Sequence, residues 1–172
     1  SMPSSSARHL STTASTEAKR ELSLQAGATV SVDYPDVQAA VEELTGDEGA
    51  DVVYDGVGKA TFEDSLACLR VRGMLVLFGG ASGQVPPFDL QRLNGAGGLF
   101  VTRPSLVHYT RTPQETHWRA QELAEAVSDG SLTLRIGERF ALSDAAAAHT
   151  ALEGRQTTSK VLLTLDLSLI HI

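Results

Sequence analysis

The sequence predicts an α/β protein built on a doubly wound parallel sheet, and three observations carry that expectation. Short apolar runs alternate with stretches of helical periodicity over residues 8–102. The connections between them are short, which suits parallel strands joined by right-handed crossovers. The third run, residues 50–54 (ADVVY), shows no apolar–polar alternation, as expected of a strand covered on both faces.

Each element follows from local chemistry. Residues 8–13 (RHLSTT) read as a strand ending in small hydroxylated residues. Ser15 is placed to cap the helix that follows, Ala18, Leu22 and Ala26 share one face of it, and Gly27 closes it. Residues 29–33 (TVSVD) form a second strand, closed by Tyr34-Pro35. Asp36 caps the next helix, with Val37, Val41 and Leu44 inward and Gly46 past its end. After the third strand, Thr61 caps a helix that turns Phe62, Leu66 and Leu69 inward. Residues 73–79 (GMLVLFG) form the fourth strand, the most apolar, and residues 99–102 the fifth. A longer helix over residues 113–128 presents Trp118, Leu123 and Val127 as core positions. The pattern changes at Asp129-Gly130. An extended piece within 132–140, an alanine-rich helix capped at Ser143-Asp144 and a last strand over 160–165 then follow.

Composition bounds the function. Among 172 residues, 42% are hydrophobic and 20% charged, which is ordinary globular chemistry. The net charge of −7 without a basic stripe speaks against nucleic acid as a partner. One cysteine, Cys68, rules out an internal disulfide and a thiolate zinc cluster, and fits a cytoplasmic location. No apolar run reaches bilayer length, so no membrane partner is expected. The five histidines lack H-x-x-H or H-E-x-x-H spacing, and no metal site is expected. No Gly-x-Ser-x-Gly elbow and no acid–base pair stand out, so no catalytic residue is named.

A dinucleotide-binding sheet opens with a strand, a Gly-x-Gly-x-x-Gly turn and a helix that receive the pyrophosphate. None of the glycine clusters here qualifies. Gly56-Val57-Gly58 carries Thr61 at the third place, Gly79-Gly80-Ala81-Ser82-Gly83 has other spacing, and Gly95-Ala96-Gly97-Gly98 precedes a strand. The first visible strand behaves as the second of such a sheet. The expected fold is therefore an incomplete Rossmann-like sheet without its first strand, glycine turn and first helix. At the end of that visible strand, Thr12-Thr13-Ala14-Ser15 holds no acid, while Lys19 lies nearby. A carboxylate there would bind a ribose 2′-hydroxyl and repel a 2′-phosphate; hydroxyls and a lysine accept the phosphate. This favours NADP over NAD, against the plainer alternative of Ser15 as a cap and Lys19 as a solvated side chain.

Tyr54-Asp55-Gly56-Val57-Gly58, Cys68-Leu69 and Arg72–Gly79 resemble the zinc-independent NADPH:quinone oxidoreductases, the zeta-crystallin-like branch of the medium-chain dehydrogenase/reductase superfamily. So do Pro86-Pro87-Phe88-Asp89-Leu90, Thr102-Arg103-Pro104-Ser105-Leu106, Leu152-Glu153-Gly154-Arg155 and Lys160–Leu163. The resemblance covers residues 8–165. It implies a partial NADP-binding domain over 8–129 and a returning piece of a catalytic barrel domain over 130–165. The ends, 1–7 and 166–172, are expected to be non-native or disordered. It implies NADPH contacts at Ser15, Thr16, Lys19 and Tyr34 by the 2′-phosphate, and at Val57 by the adenine ribose. Ala81, Ser82 and Gly83 follow the fourth strand, Pro104, Ser105 and Leu106 hold the nicotinamide amide, and Arg155 reaches in from the returning segment. Simpler roles stand beside these: Tyr34 as a strand-end aromatic, Val57 as core, Ser105 as a turn residue, Arg155 as a helix-end charge. The implied reaction is hydride transfer to a quinone or other α,β-unsaturated carbonyl. The implied partner is a second copy joined through the cofactor domain, with residues 98–101 as the edge strand. The chain by itself is expected to bind NADPH weakly and to be inactive. A non-catalytic nucleotide-binding or dimerisation module, and an enoyl reductase-type domain of an acyl-chain-building enzyme, are the competing readings.

Overall fold

The computed structural model describes residues 9–154, 157 and 159–165. Arg8, Arg155 and the two ends lie outside the described residues. The chain divides into two compact units, residues 1–108 and 109–172.

In the first unit, β1 (Ser11–Thr13) leads into α1 (Glu17–Gln25) and β2 (Val30–Val32), and a single 3-10 turn (Tyr34–Asp36) leads into α2 (Val37–Thr45). Then come β3 (Ala50–Asp55), α3 (Phe62–Ala67), β4 (Leu69–Leu77), α4 (Gln91–Gly95) and β5 (Phe100–Thr102). All pairings are parallel, as the alternating pattern predicted. β1 pairs with β2, Thr12 opposite Ser31, and a three-stranded sheet runs β3-β4-β5, with Val53 opposite Leu75 and Leu75 opposite Val101. The core lies on this second sheet, where Phe62, Leu66, Leu69, Leu75, Leu77 and Leu99 form one buried cluster. Leu75, on the central strand of this sheet, is wholly buried within that cluster.

Several local expectations shift. Thr16, not Ser15, caps α1: its backbone is extended and its hydroxyl accepts from Lys19 N–H at 3.3 Å. Gly27 follows the cap with φ of 104°, a conformation that suits glycine. Asp36 makes no side-chain cap bond; Asp33 instead accepts from Tyr34 N–H at 2.8 Å, because the 3-10 turn begins one residue after it. Gly46 does end α2 in the left-handed conformation. Leu69 begins β4 rather than ending the preceding helix, and it is buried as expected. β3 is not covered on both faces: Val52 and Tyr54 are 42% and 72% exposed. An unalternating apolar run shows which faces want cover, and no described element supplies it on this side.

In the second unit, α5 (Pro113–Ser128) is followed by β6 (Ile136–Ala141), a 3-10 turn (Leu142–Asp144), α6 (Ala145–Glu153) and β7 (Lys160–Thr164). β6 and β7 pair in parallel. The division falls at 108/109, ahead of the pattern change at 129/130, so α5 belongs to the second unit. Trp118, Leu123 and Val127 are exposed rather than core residues. Their spacing marks a face to be covered, but no described residue of α5 is buried. No described helix is long and apolar enough to cross a membrane.

Candidate functional site

Parallel strands place their following loops at one edge of a sheet, where ligands of open α/β sheets bind. All the predicted contact residues of the first unit follow strand ends. Ser15, Thr16 and Lys19 follow β1, and Tyr34 follows β2. Val57 follows β3, residues 81–83 follow β4, and residues 104–106 follow β5.

The structure joins the β3 and β4 loops closely. Ser82 N–H and its hydroxyl both donate to the Val57 carbonyl at 2.8 Å, and the same hydroxyl accepts from Ala60 N–H at 2.9 Å. Ala81 N–H donates to the Gly56 carbonyl at 3.3 Å and Lys59 N–H to the Gly83 carbonyl at 3.2 Å. Glycine is required for this approach. A Cβ on Gly58 would sit 2.8 Å from the Gly83 carbonyl at φ of +87°, and one on Gly79 would overlap the Gly56 carbonyl. Val57, Ala81, Ser82 and Gly83 thus form one polar, backbone-rich ledge.

The organiser of that ledge is Asp55, which the site prediction did not include. It is 4% exposed at the end of β3. One carboxylate oxygen accepts from Val57 N–H at 2.7 Å and Gly58 N–H at 3.0 Å. The other accepts from the hydroxyls of Thr61 at 2.8 Å and Ser65 at 2.9 Å. Burial pushes this carboxyl up. Hydrogen bonds from Gly58, Thr61, Val57 and Ser65 outweigh it and hold the group below the usual aspartate range. An acid at a strand end, followed by Gly-x-Gly and by hydroxyls six and ten residues on, was the available sequence signal.

Tyr34 and Val57 also meet a shared feature. They line a cleft of about 1170 Å³ between β1 and β3, together with Thr13 and Asp55. Ser15, Thr16, Lys19, residues 81–83 and residues 104–106 do not line it. Arg20 is a second cation at the β1 end. Its guanidinium donates to the Ala14 carbonyl at 3.0 Å and lies 4.0 Å from Asp33. Lys19 is half-buried and has no described ion pair, which leaves its charge available to an anion. Pro104 accepts from the Arg103 guanidinium through its carbonyl, and the Ser105 carbonyl accepts from His108 N–H, so this loop closes on itself. Cys68 is 3% exposed; burial first, then the charges of Asp64 and Glu42, push its thiol up to about 11. That removes it from nucleophilic chemistry at neutral pH.

A family model described as zinc-binding dehydrogenase matches residues 6–125. Quinone oxidoreductase of Pseudomonas aeruginosa is 44% identical over 153 residues, covering 88% of this chain and 47% of that protein. A 2-haloacrylate reductase of a Burkholderia species is 41% identical, covering 91% of the chain and 49% of the relative. A mycobacterial structure solved with NADPH superposes with a TM-score of 0.82 at 52% identity, covering 91% of this chain and 50% of that one. The chain therefore spans about half the length of the relatives it matches. The resemblance read from residues 54–58 and 102–106 is borne out. The family's description names zinc, yet no group of three His, Cys, Asp or Glu side chains among the described residues is arranged to hold a metal. These residues offer zinc no donor set.

Proposed function

Because the chain belongs to the zinc-binding dehydrogenase family, we propose that it contributes half of an NADPH site, the part that meets the 2′-phosphate and positions the nicotinamide, to an oxidoreductase acting on quinones or related α,β-unsaturated carbonyls. The observation that supports this best is the likeness, at 52% identity and a TM-score of 0.82, to a protein solved with NADPH. The 2-haloacrylate reductase among the relatives fits an electron-poor double bond as the acceptor.

The residues fit such a cofactor. Lys19 is free to meet a 2′-phosphate with a full charge, and the Ser15 and Thr16 hydroxyls at the end of β1 add donors. Tyr34 and Val57 share a cleft wall, suited to the adenosine side. The ledge of Ala81, Ser82 and Gly83 presents backbone groups beside Val57, and Pro104, Ser105 and Leu106 offer backbone groups for the nicotinamide amide. Arg155 belongs to the same reading but lies outside the described residues. When bound, the nicotinamide supplies a hydride; the protein positions it. We read residues 8–129 as the cofactor domain and 130–165 as a piece of a catalytic domain. We read the edge of β5 as the surface through which two copies pair, and the cytoplasm as the place of action.

The test is a chimera in which the unmatched part of the Pseudomonas aeruginosa relative is fused to this chain. It should oxidise NADPH in the presence of 1,4-benzoquinone, whereas this chain alone should bind NADPH weakly and turn nothing over. A folded chimera without quinone-dependent NADPH oxidation would overturn the reading.

A further inference from the structure

We propose that Arg20 sets the preference for NADPH over NADH at one remove, as a positioning residue that cancels the charge of Asp33 beside the 2′-phosphate and ties together the two loops that carry the phosphate's ligands. This rests on the cofactor reading above and gives a role to a residue that the reading left unassigned.

Ser15, Thr16 and Lys19 follow β1, whereas Tyr34 follows β2. The two strands pair in parallel, so both loops leave the same edge of their sheet. A single guanidinium bridges them. Arg20 Nη1 donates to the Ala14 carbonyl at 3.0 Å, one residue before Ser15. The same nitrogen lies 4.0 Å from Asp33 Oδ2, one residue before Tyr34. The other oxygen of Asp33 accepts from Tyr34 N–H at 2.8 Å and caps the 3-10 turn that begins there.

Asp33 is therefore useful in shape and costly in charge. Its carboxylate fixes the turn that presents Tyr34, yet it places a negative charge beside a residue assigned to an anionic phosphate. Like charges a few ångströms apart repel even in water. Arg20 offsets that charge at close range. Its placement calls for such a reason, because it is the fourth residue of α1, near the positive end of the helix dipole, where a cation is disfavoured. Stability does not supply the reason. The side chains of the pair are 27% and 47% exposed, and exposed ion pairs contribute little to folding. What remains is the field at the two loop ends. Lys19, the neighbouring cation, has no ion pair among the described residues. The two cations thus divide the work: Lys19 meets the phosphate, and Arg20 removes the repulsion that Asp33 brings.

The test titrates this chain itself with adenosine 2′,5′-bisphosphate and with 5′-AMP, which differ only in the 2′-phosphate, and takes the ratio of the two Kd values from amide shifts. The unsubstituted chain should prefer the bisphosphate. Arg20→Gln, which keeps a side-chain donor and removes the charge, should cut that preference about fivefold. Asp33→Asn keeps an oxygen for Tyr34 N–H. It should raise the preference in the parent chain and restore it in the Arg20→Gln background. The Arg20→Gln loss should largely vanish at about 1 M salt, where the screening length is about 3 Å, whereas a loss from altered loop shape would persist. An unchanged preference in Arg20→Gln overturns the proposal, as does a loss that Asp33→Asn leaves unrestored or that salt leaves intact. If Arg20→Gln does not fold, Asp33→Asn alone decides, and any result other than a rise overturns the proposal. A parent chain without the preference, or one that keeps it in Lys19→Ala, overturns the cofactor reading and this proposal together. A preference lost in Lys19→Ala and kept in Arg20→Gln overturns this proposal alone.

Discussion

Asp55 shows how one buried acid sets local geometry. Its four donors are two backbone amides of the β3 loop and the hydroxyls of Thr61, just before α3, and Ser65, within it, so it ties a strand end to the next helix. Asp55→Asn keeps the shape but brings an NH2 among groups that are themselves donors. A loss of about 1–3 kcal/mol is expected, read by urea unfolding. The pH dependence has a defined sign. The folded carboxyl titrates below its unfolded value of about 3.9, so its contribution is present above that pH and fades as pH falls through the lower folded value. Acid unfolding of the parent chain should steepen below about pH 4, and Asp55→Asn should flatten that slope. At Lys19 the expectation concerns selectivity. In the quinone-reducing chimera, Lys19→Ala should reduce the NADPH-over-NADH preference about tenfold, equivalent to ~1.4 kcal/mol, with little effect on NADH itself. An unchanged ratio would assign the 2′-phosphate elsewhere, with Arg20 the next cation to test. Cys68 should resist iodoacetamide at pH 8 in the folded chain and react once unfolded, because its thiol is buried and raised to about 11.

Between elements, the deciding contacts are loop on loop. The β3 and β4 loops approach so closely that Gly58 and Gly79 each lack room for a methyl group, and Gly58 adds a positive φ. Gly58→Ala should destabilise the chain by more than the roughly 1 kcal/mol of a simple conformational cost, since the clash is with a backbone carbonyl. Gly83→Ala is expected to be milder on packing, because only the flexible Lys59 side chain is near, although its φ of +112° remains unfavourable. Thermal unfolding of the two variants checks the order. At the start of α1, Thr16→Ala should cost about 1 kcal/mol and Ser15→Ala much less, because only Thr16 caps. Sequence placed this helix correctly and its cap one residue early. Both residues are hydroxylated and only the backbone turn distinguishes them.

For the whole molecule, stability should follow the sheet. β4 lies between two partners and carries the fully buried Leu75, whereas β1 and β2 form an isolated pair. Amide exchange should therefore be slowest in residues 74–77 and faster by about tenfold or more in residues 11–13 and 30–32. Equal protection in both sheets would mean that they already unfold as one. The sequence by itself determined the parallel α/β class, the alternation of elements, most of the buried cluster and the resemblance. Those follow from periodicity, turn chemistry and short motifs, which are local. Only the tertiary structure decided that Asp55 organises the ledge, that Val57 and Ser82 are bonded partners, and that Trp118 and Tyr54 stand exposed. These depend on which strand edges and faces find a neighbour. A run of residues states its need for cover, and only packing between distant segments shows whether that need is met.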